Sequence, residues 1–219
     1  IVQAYPGQFS IEAIDQLRRA APLTRMLALL GSWCEGEMRT GKPWPGVVRL
    51  YWHLWSSRSA EELRRLVAGG GSAWGLPITA TDEERLLLSA ALPLPKGRGM
   101  LVVAARHREM GDWLADACRK CGYSIVRENS SHTLPPEGAT AVLYDGESCS
   151  SDELDDIRRL CRDFAPAPLL AVFHFPRIEH YEQATAAGAS AVLAKPIALH
   201  DLVWQLDDLI ARATQSPAG

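Results

Sequence analysis

The sequence lacks long hydrophobic runs and any marked excess of one charge. No apolar stretch reaches the roughly 18 residues that a membrane-spanning helix needs, so we expect no membrane span. Lys and Arg number 23 against 26 Asp and Glu, which gives a net charge of −3. This near balance provides no electrostatic argument for binding nucleic acid or an acidic membrane surface. The hydrophobic content of 47% is instead typical of a folded protein with a buried core.

Cysteine is scarce, with five residues that follow no regular spacing. An odd, scattered set excludes a disulfide framework and is typical of a reducing cytoplasm, where we therefore expect the protein to work. Cys118 and Cys121 match the C-x-x-C pattern, but they fall inside a predicted amphipathic helix. Because neither thiol lies at a helix N-terminus, we interpret both as core residues and expect no redox centre and no cofactor.

The first four residues, Ile1-Val2-Gln3-Ala4, include neither a Met nor a basic segment, so they are not typical of a signal peptide. They have the composition of a strand end. We therefore expect the chain to be an N-terminally truncated piece of a longer protein.

A domain boundary is predicted between residues 93 and 99, where two prolines and two glycines follow a helical pattern. The length of 219 residues accommodates two small domains on either side of it. We expect these domains to cover residues 1–92 and 98–214.

The second of these segments alternates between short apolar runs and amphipathic stretches. Strands are predicted at 101–104, 124–126, 141–144, 169–173 and 191–194, and helices at 112–121, 152–163, 178–187 and 199–213. Short runs without polar residues are typical of strands that are buried on both faces. The alternation predicts an α/β fold with a doubly wound, five-stranded parallel sheet.

Three motifs in this segment resemble a known family. Asp145 ends the third predicted strand, Ala187-Gly188-Ala189 precedes the fifth, and Lys195-Pro196 ends the fifth. On these residues the segment resembles the receiver domain of bacterial two-component response regulators over nearly its full length. The resemblance implies that Asp145 stands at the phospho-acceptor position, that Lys195 contacts the phosphoryl group, and that the peptide bond before Pro196 is cis.

The segment departs from the family at the metal site. Receivers hold Mg²⁺ with an acidic pair just after the first strand, where this sequence has Ala105-Arg106, or Ala104-Ala105 in a register one residue earlier. A hard dication needs anionic oxygen ligands, and phosphoryl transfer depends on the metal to neutralise developing charge. We therefore predict no metal site.

Further departures surround the acceptor position. The small hydroxyl residue that the family places after the fourth strand is Phe173 here, and the expected aromatic residue before the lysine is Val192. The resemblance therefore predicts a pseudo-receiver, a non-catalytic module of phosphorelay signal transduction that is not phosphorylated. A working phospho-receiver that uses Asp145 is the alternative.

Arg106 supports a sharper hypothesis. Its planar guanidinium suits a carboxylate, and together with Lys195 it could neutralise Asp145 permanently. The alternative is that Arg106 faces solvent. The hypothesis requires a separation between Arg106 and Asp145 of no more than about 4 Å.

A receiver-like module without chemistry acts through protein contacts, so we expect a protein partner or a second copy of the chain. In the family the last helix contributes to the docking face. Trp204 on that predicted helix is therefore the leading candidate for a contact residue.

The first half is unusual because four of its tryptophans fall between residues 31 and 55. One interpretation is that they fill a small core, and another is that Trp44 and Trp52 belong to a partner surface. A third interpretation is an enzyme in which Cys34 is the nucleophile and His53 its base, oriented by Glu35 or Glu37. The aromatic residues of the predicted core are Trp33, Trp44, Tyr51, Trp52 and Trp55.

The first thirty residues have a weaker receiver-like pattern. A strand, a helix at 11–20 and a strand at 24–30 would correspond to the third strand, third helix and fourth strand of a second, degenerate receiver. Gln3 would then lie near the acceptor position and could not accept a phosphoryl group. After these elements we expect an extended segment at 47–55 and helices at 59–68 and from Thr81 onward.

Overall fold

The computed structural model describes residues 1–34, 36–37, 41–91, 96–128 and 138–215. The chain forms two compact units, Ile1–Pro93 and Leu94–Gly219. Of the predicted boundary segment, residues 93–95 lie outside the described ranges. Within those ranges, every helix is too short or too polar to cross a lipid bilayer.

The second unit contains a sheet of five parallel strands. The strands are β4 (Met100–Ala105), β5 (Ser124–Arg127), β6 (Ala139–Asp145), β7 (Leu169–His174) and β8 (Ala191–Lys195), and they lie in the order β5-β4-β6-β7-β8. The helices are α4 (Arg108–Lys120), α5 (Ser151–Asp163), α6 (Ile178–Ala186) and α7 (Leu199–Gln215). This strand order, 2-1-3-4-5 within the unit, is that of the receiver and flavodoxin folds and confirms the predicted fold class.

Apolar burial explains why these residues form this sheet. Strands β4, β6 and β7 are buried along almost their whole length, as their unbroken apolar sequences predict. Helix α5 packs Ile157 and Leu160 into the core on one side of the sheet, and α4 buries Leu114 and Cys118. Because all five strands are parallel, their carboxyl ends meet at one edge, which is where the candidate site lies.

The first unit contains a smaller parallel sheet of three strands. Its elements are β1 (Val2–Gln3), α1 (Ile11–Ala20), β2 (Leu27–Leu30), β3 (Val48–Tyr51), α2 (Trp55–Val67) and α3 (Asp82–Ala91), and the strands lie in the order β1-β2-β3. Strand, helix and parallel strand follow one another as the correspondence with a second receiver requires. That correspondence stays a prediction.

The extended segment predicted at 47–55 is wrong over its second half. Strand β3 ends at Tyr51, a 3₁₀ turn spans Trp52–Leu54, and helix α2 begins at Trp55. No β-branched residue follows Val48 in this segment, so beyond Tyr51 the predicted strand depended on aromatic residues alone, and these also fit a helical backbone.

The predicted aromatic core is only partly correct. Trp44 is buried with Ile14, Leu30 and Cys34 in the core of the first unit. Trp33 and Trp55 are exposed, and the ring of Trp55 stacks on Trp74 at 6.3 Å. In the turn Ser32–Cys34 it is Cys34 that points inward, which leaves the neighbouring Trp33 outside.

Candidate functional site

Asp145 and Lys195 form a buried ion pair at the carboxyl edge of the five-stranded sheet. Asp145 is the last residue of β6 and is 1% exposed, and Lys195 is the last residue of β8 and is 5% exposed. The Lys195 Nζ lies 2.6 Å from Asp145 Oδ1 and donates to the carbonyl oxygen of Gly146 at 2.7 Å. The peptide bond between Lys195 and Pro196 is cis, as the resemblance implies.

Burial dominates the electrostatics of this pair. It raises the pKa of the Asp145 carboxyl, although Lys195 acts in the opposite direction. Among the described residues, no group donates a hydrogen bond to Asp145 Oδ2. The carboxylate is therefore held by one ammonium inside an apolar sheet edge.

The position of the family's acidic pair does not fit a divalent cation. Ala105 lies directly opposite Asp145 in the sheet, and Arg106 is the next residue in the chain. This edge offers Mg²⁺ methyl groups and a guanidinium, while the carboxylate of Asp145 is already paired with Lys195. In the described ranges, no group of three or more His, Cys, Asp or Glu side chains could hold a metal ion.

The hypothesis that Arg106 pairs with Asp145 is wrong. The guanidinium turns outward and lies 4.0 Å from Asp156, and the neighbouring Tyr144 raises its pKa. The reason is geometric, because Arg106 stands beyond the end of β4 with its side chain 41% exposed, whereas the Asp145 carboxylate is enclosed. Lys195 neutralises Asp145 without help from Arg106.

Phe173 fills the space beside the loop that follows Asp145. The Phe173 side chain is fully buried at the end of β7 and packs edge-on against Tyr144 at 6.3 Å. Its ring lies so close to Gly146 that a methyl group there would clash with it. A large apolar ring therefore stands where the resemblance leads us to expect a small hydroxyl group.

The loop after Asp145 uses its backbone N–H groups internally. We call residues 146–150 the Asp145 loop. Gly146 donates to the carbonyl oxygen of Val172 at 2.9 Å. The next donors converge on one carboxylate, since Glu147, Ser148 and Ser150 donate to Glu153 at 2.5, 3.2 and 2.9 Å.

Glu153 is a site residue that sequence reasoning missed. It lies in the first turn of α5 and forms a capping box with Ser150. Burial would raise the pKa of its carboxyl, but the three backbone donors, together with the charge of Arg106, outweigh burial and lower it. The pattern Ser150-x-x-Glu153 was a signal that could have revealed it.

Two histidines stand at the mouth of the site. His107 Nε2 lies 2.5 Å from Glu147 Oε1, and this hydrogen bond lowers the pKa of the Glu147 carboxyl. His174 is exposed at the end of β7, and its backbone N–H donates to the carbonyl oxygen of Glu147 at 3.0 Å. The rim therefore contains a histidine–glutamate pair and a second, exposed histidine.

Two of the three tryptophans predicted to contact a partner are not accessible. Trp204 is 6% exposed and packs edge-on against His200 at 5.2 Å. Trp44 is buried in the core of the first unit, and the partly buried Trp52 donates to Ser32 Oγ at 2.9 Å. Helix periodicity alone did not predict this because residues 200–206 of α7 are all buried, so the helix has no free face there.

The structure instead exposes aromatic residues beside Lys195. A cavity of about 560 Å³ lies between α4 and the loops that follow β7 and β8. Phe175 and Trp113, which are 59% and 46% exposed, contribute to its walls. We call it the aromatic groove; its apolar lining residues are Met110, Trp113, Phe175, Pro196 and Ile197.

Cys34 and His53, the nucleophile and base of the enzyme alternative, are both buried. The Cys34 thiol donates to the carbonyl oxygen of Gln3 at 3.7 Å, and burial raises its pKa, which favours the unreactive thiol. The His53 ring stacks on Tyr51 at 6.0 Å. Glu37 pairs with Arg49 at 2.8 Å, and Glu35 lies outside the described residues.

Comparison with solved structures finds a pilus assembly-related protein, a chemotaxis protein and a response regulator among the similar chains. A pilus assembly-related protein from Burkholderia pseudomallei is 22% identical with a TM-score of 0.45, and the match covers 57% of this chain and 95% of that one. The chemotaxis protein CheY4 of Vibrio cholerae is 13% identical with a TM-score of 0.44, covering 52% and 99%. A response regulator from Burkholderia pseudomallei with a phosphorylated aspartic acid is 21% identical with a TM-score of 0.41, covering 55% and 76%.

No protein-family model and no curated protein matches the chain. With identities of 22% or less and TM-scores below 0.5, these structural matches add no argument about function. The strand order of the second unit nevertheless stands by itself, and that unit has a receiver-like α/β fold.

Proposed function

We propose that the chain is a non-catalytic signal-transduction module whose receiver-like unit is not phosphorylated and acts through protein contacts. The observation that carries the proposal is the buried pair of Asp145 and Lys195, with Ala105 opposite the carboxylate. The five cysteines are all free thiols, which supports work in a reducing cytoplasm.

The chemistry of phosphoryl transfer supports this reading of the site. The acceptor carboxylate must reach the phosphorus in line with the leaving group, and a metal must neutralise the developing charge. At 1% exposure Asp145 is enclosed, and burial raises its pKa and so disfavours the nucleophilic anion. The edge also has no second carboxylate at Ala105 or Arg106 to hold a cation.

The aromatic groove supports the proposal of a protein partner. Exposed aromatic side chains supply much of the binding energy at protein interfaces. Phe175 is held at a φ of 44°, in the left-handed region that a bulky residue rarely adopts and that costs on the order of 1 kcal/mol or more. An exposed aromatic residue on a strained backbone supports the proposal that this surface contacts a partner.

Treatment with acetyl phosphate and Mg²⁺, followed by intact-mass measurement, tests the proposal. We expect the wild-type chain to keep its unmodified mass, in parallel with Asp145→Asn, while a phosphorylation-competent receiver in the same mixture is modified. A phosphorylated wild-type fraction that Asp145→Asn lacks would contradict the proposal and favour a working phospho-receiver. Modification that persists in Asp145→Asn would place the phosphoryl group elsewhere and also contradict it.

A further inference from the structure

The Asp145 loop is built around an anion that the chain itself supplies. Three of its backbone N–H groups donate to the two carboxylate oxygens of Glu153. Between them, Cys149 adopts a φ of 59°, and left-handed residues of this kind help successive N–H groups to point into one concavity. Such a concavity is suited to an anion, and here the occupant is a side chain.

The charge of Glu153 is balanced by these donors. Glu153 is 1% exposed, and within the described residues no Lys, Arg or His lies within ion-pair distance of its carboxylate. A buried carboxylate is stable only when hydrogen-bonded, and here three charge-assisted hydrogen bonds stabilise it. Removing its charge would weaken all three at once.

The remaining loop contacts also close on the chain itself. Lys195 holds the carbonyl oxygen of Gly146, His174 N–H holds that of Glu147, and the Cys149 thiol donates to the carbonyl oxygen of His180 at 3.5 Å. The loop is thus fixed from the strand edge, from α5 and from the start of α6. None of the three contacts of Glu153 involves the side chain of Asp145.

We propose that Glu153 is an internal anion that holds the Asp145 loop in one conformation whatever the charge on Asp145. This inference deepens the proposed function, on which it rests, since it assigns the regulation of the same site. A receiver-like module held in this way presents one constant loop surface to its partner. Glu153 acts as a positioning residue.

Hydrogen–deuterium exchange of the full chain tests this inference in Glu153→Gln, Asp145→Asn and the control Asp152→Asn. Asp152 is exposed in the same helical turn, so its variant removes an equal charge without touching the loop donors. We expect Glu153→Gln to lower protection of the amides of Glu147, Ser148 and Ser150 at least tenfold. Asp152→Asn should leave these amides protected, and Asp145→Asn should lower their protection no more than that of the core amides of β4, which report the loss of global stability.

Protected amides in Glu153→Gln would overturn the inference, and so would loop amides that lose more protection than the core amides of β4 in Asp145→Asn. Either result would leave the acetyl phosphate experiment unaffected, so failure of the internal anion is distinguishable from failure of the proposed function. If Asp145 were phosphorylated while hydrogen–deuterium exchange gave the expected results, only the proposed function would be contradicted.

An NMR pH titration of the wild-type chain tests the same inference without a variant, so the test remains available if Glu153→Gln does not fold. The pKa of Glu153 is lowered in the folded chain, so its carboxylate keeps the three hydrogen bonds at any pH above the ordinary pKa of a glutamate. The hydrogen bonds are lost as the pH falls through the pKa that Glu153 has in the folded chain. The three amide signals should therefore shift together below pH 4.5. Signals that follow separate titrations, or none, would overturn the inference. The titratable groups that face Glu153 are Arg106, Tyr144, Glu147 and Cys149.

Discussion

Asp145 and Lys195 bury opposite charges at the sheet edge, and each charge loses hydration that their mutual attraction only partly offsets. The pair is therefore weak evidence of stability by itself, but either charge alone would be costly. The sequence predicted both residues and their approach, since the carboxyl ends of β6 and β8 meet at one edge. It did not predict the direction of Arg106, because a side chain beyond the last strand residue has no periodic constraint.

A double-mutant cycle measures this coupling. Asp145→Asn leaves the Lys195 ammonium buried without a counterion, and we expect it to lower the free energy of unfolding by about 3 kcal/mol. Lys195→Met, which isolates the carboxylate, should cost a similar amount, and the double variant should cost less than the sum. Urea unfolding measures all three. The exposed pair Arg119 and Asp116 is the control, with an expected coupling below about 1 kcal/mol. Additive costs at Asp145 and Lys195 would contradict a coupled pair.

At the scale of helices and strands, the sequence predicted best where one side of an element faces a core and the other faces solvent. Helices α4 and α5 have such patterns: α5 lies within one residue of its predicted range, whereas α4 begins four residues earlier than predicted. Helix α7 was predicted correctly as a helix but wrongly as a free surface, because residues 200–206 are buried on every side. Periodicity identifies the apolar face but does not reveal whether something covers the polar face.

Two tryptophans on different helices should therefore respond differently to truncation. Trp204→Ala on α7 removes a buried indole, and we expect it to lower the free energy of unfolding by about 3–5 kcal/mol. Trp113→Ala on α4 removes a half-exposed ring of the aromatic groove and should cost no more than about 1 kcal/mol. Denaturant unfolding followed by circular dichroism measures both. A small cost at Trp204 would show that the ring is accessible, as the sequence alone suggested.

At the scale of the whole molecule, each unit has a sheet and a core of its own. The core of the first unit includes Leu30 and Trp44, and that of the second includes Leu160 and Phe173. The sequence predicted the second unit better because its strands are continuous apolar runs separated by regular helices. In the first unit the segment between β2 and β3 contains turns and aromatic residues whose burial depends on tertiary packing, which local patterns do not encode.

Separate cores lead us to expect two cooperative unfolding steps. Leu50→Ala removes a side chain from the interior of the first unit, and Leu143→Ala does the same in the second. Each cavity should cost about 2–5 kcal/mol and lower the midpoint of one thermal transition by several degrees, leaving the other within error. Differential scanning calorimetry of the full chain resolves the two transitions, and the exposed Leu23→Ala is the control for the loss of an aliphatic side chain. A cavity in one independent core leaves the free energy of unfolding of the other core unchanged. If either core variant shifted both transitions equally, the two units would therefore unfold as one. Separate domains at residues 1–92 and 98–214 would then be the wrong description.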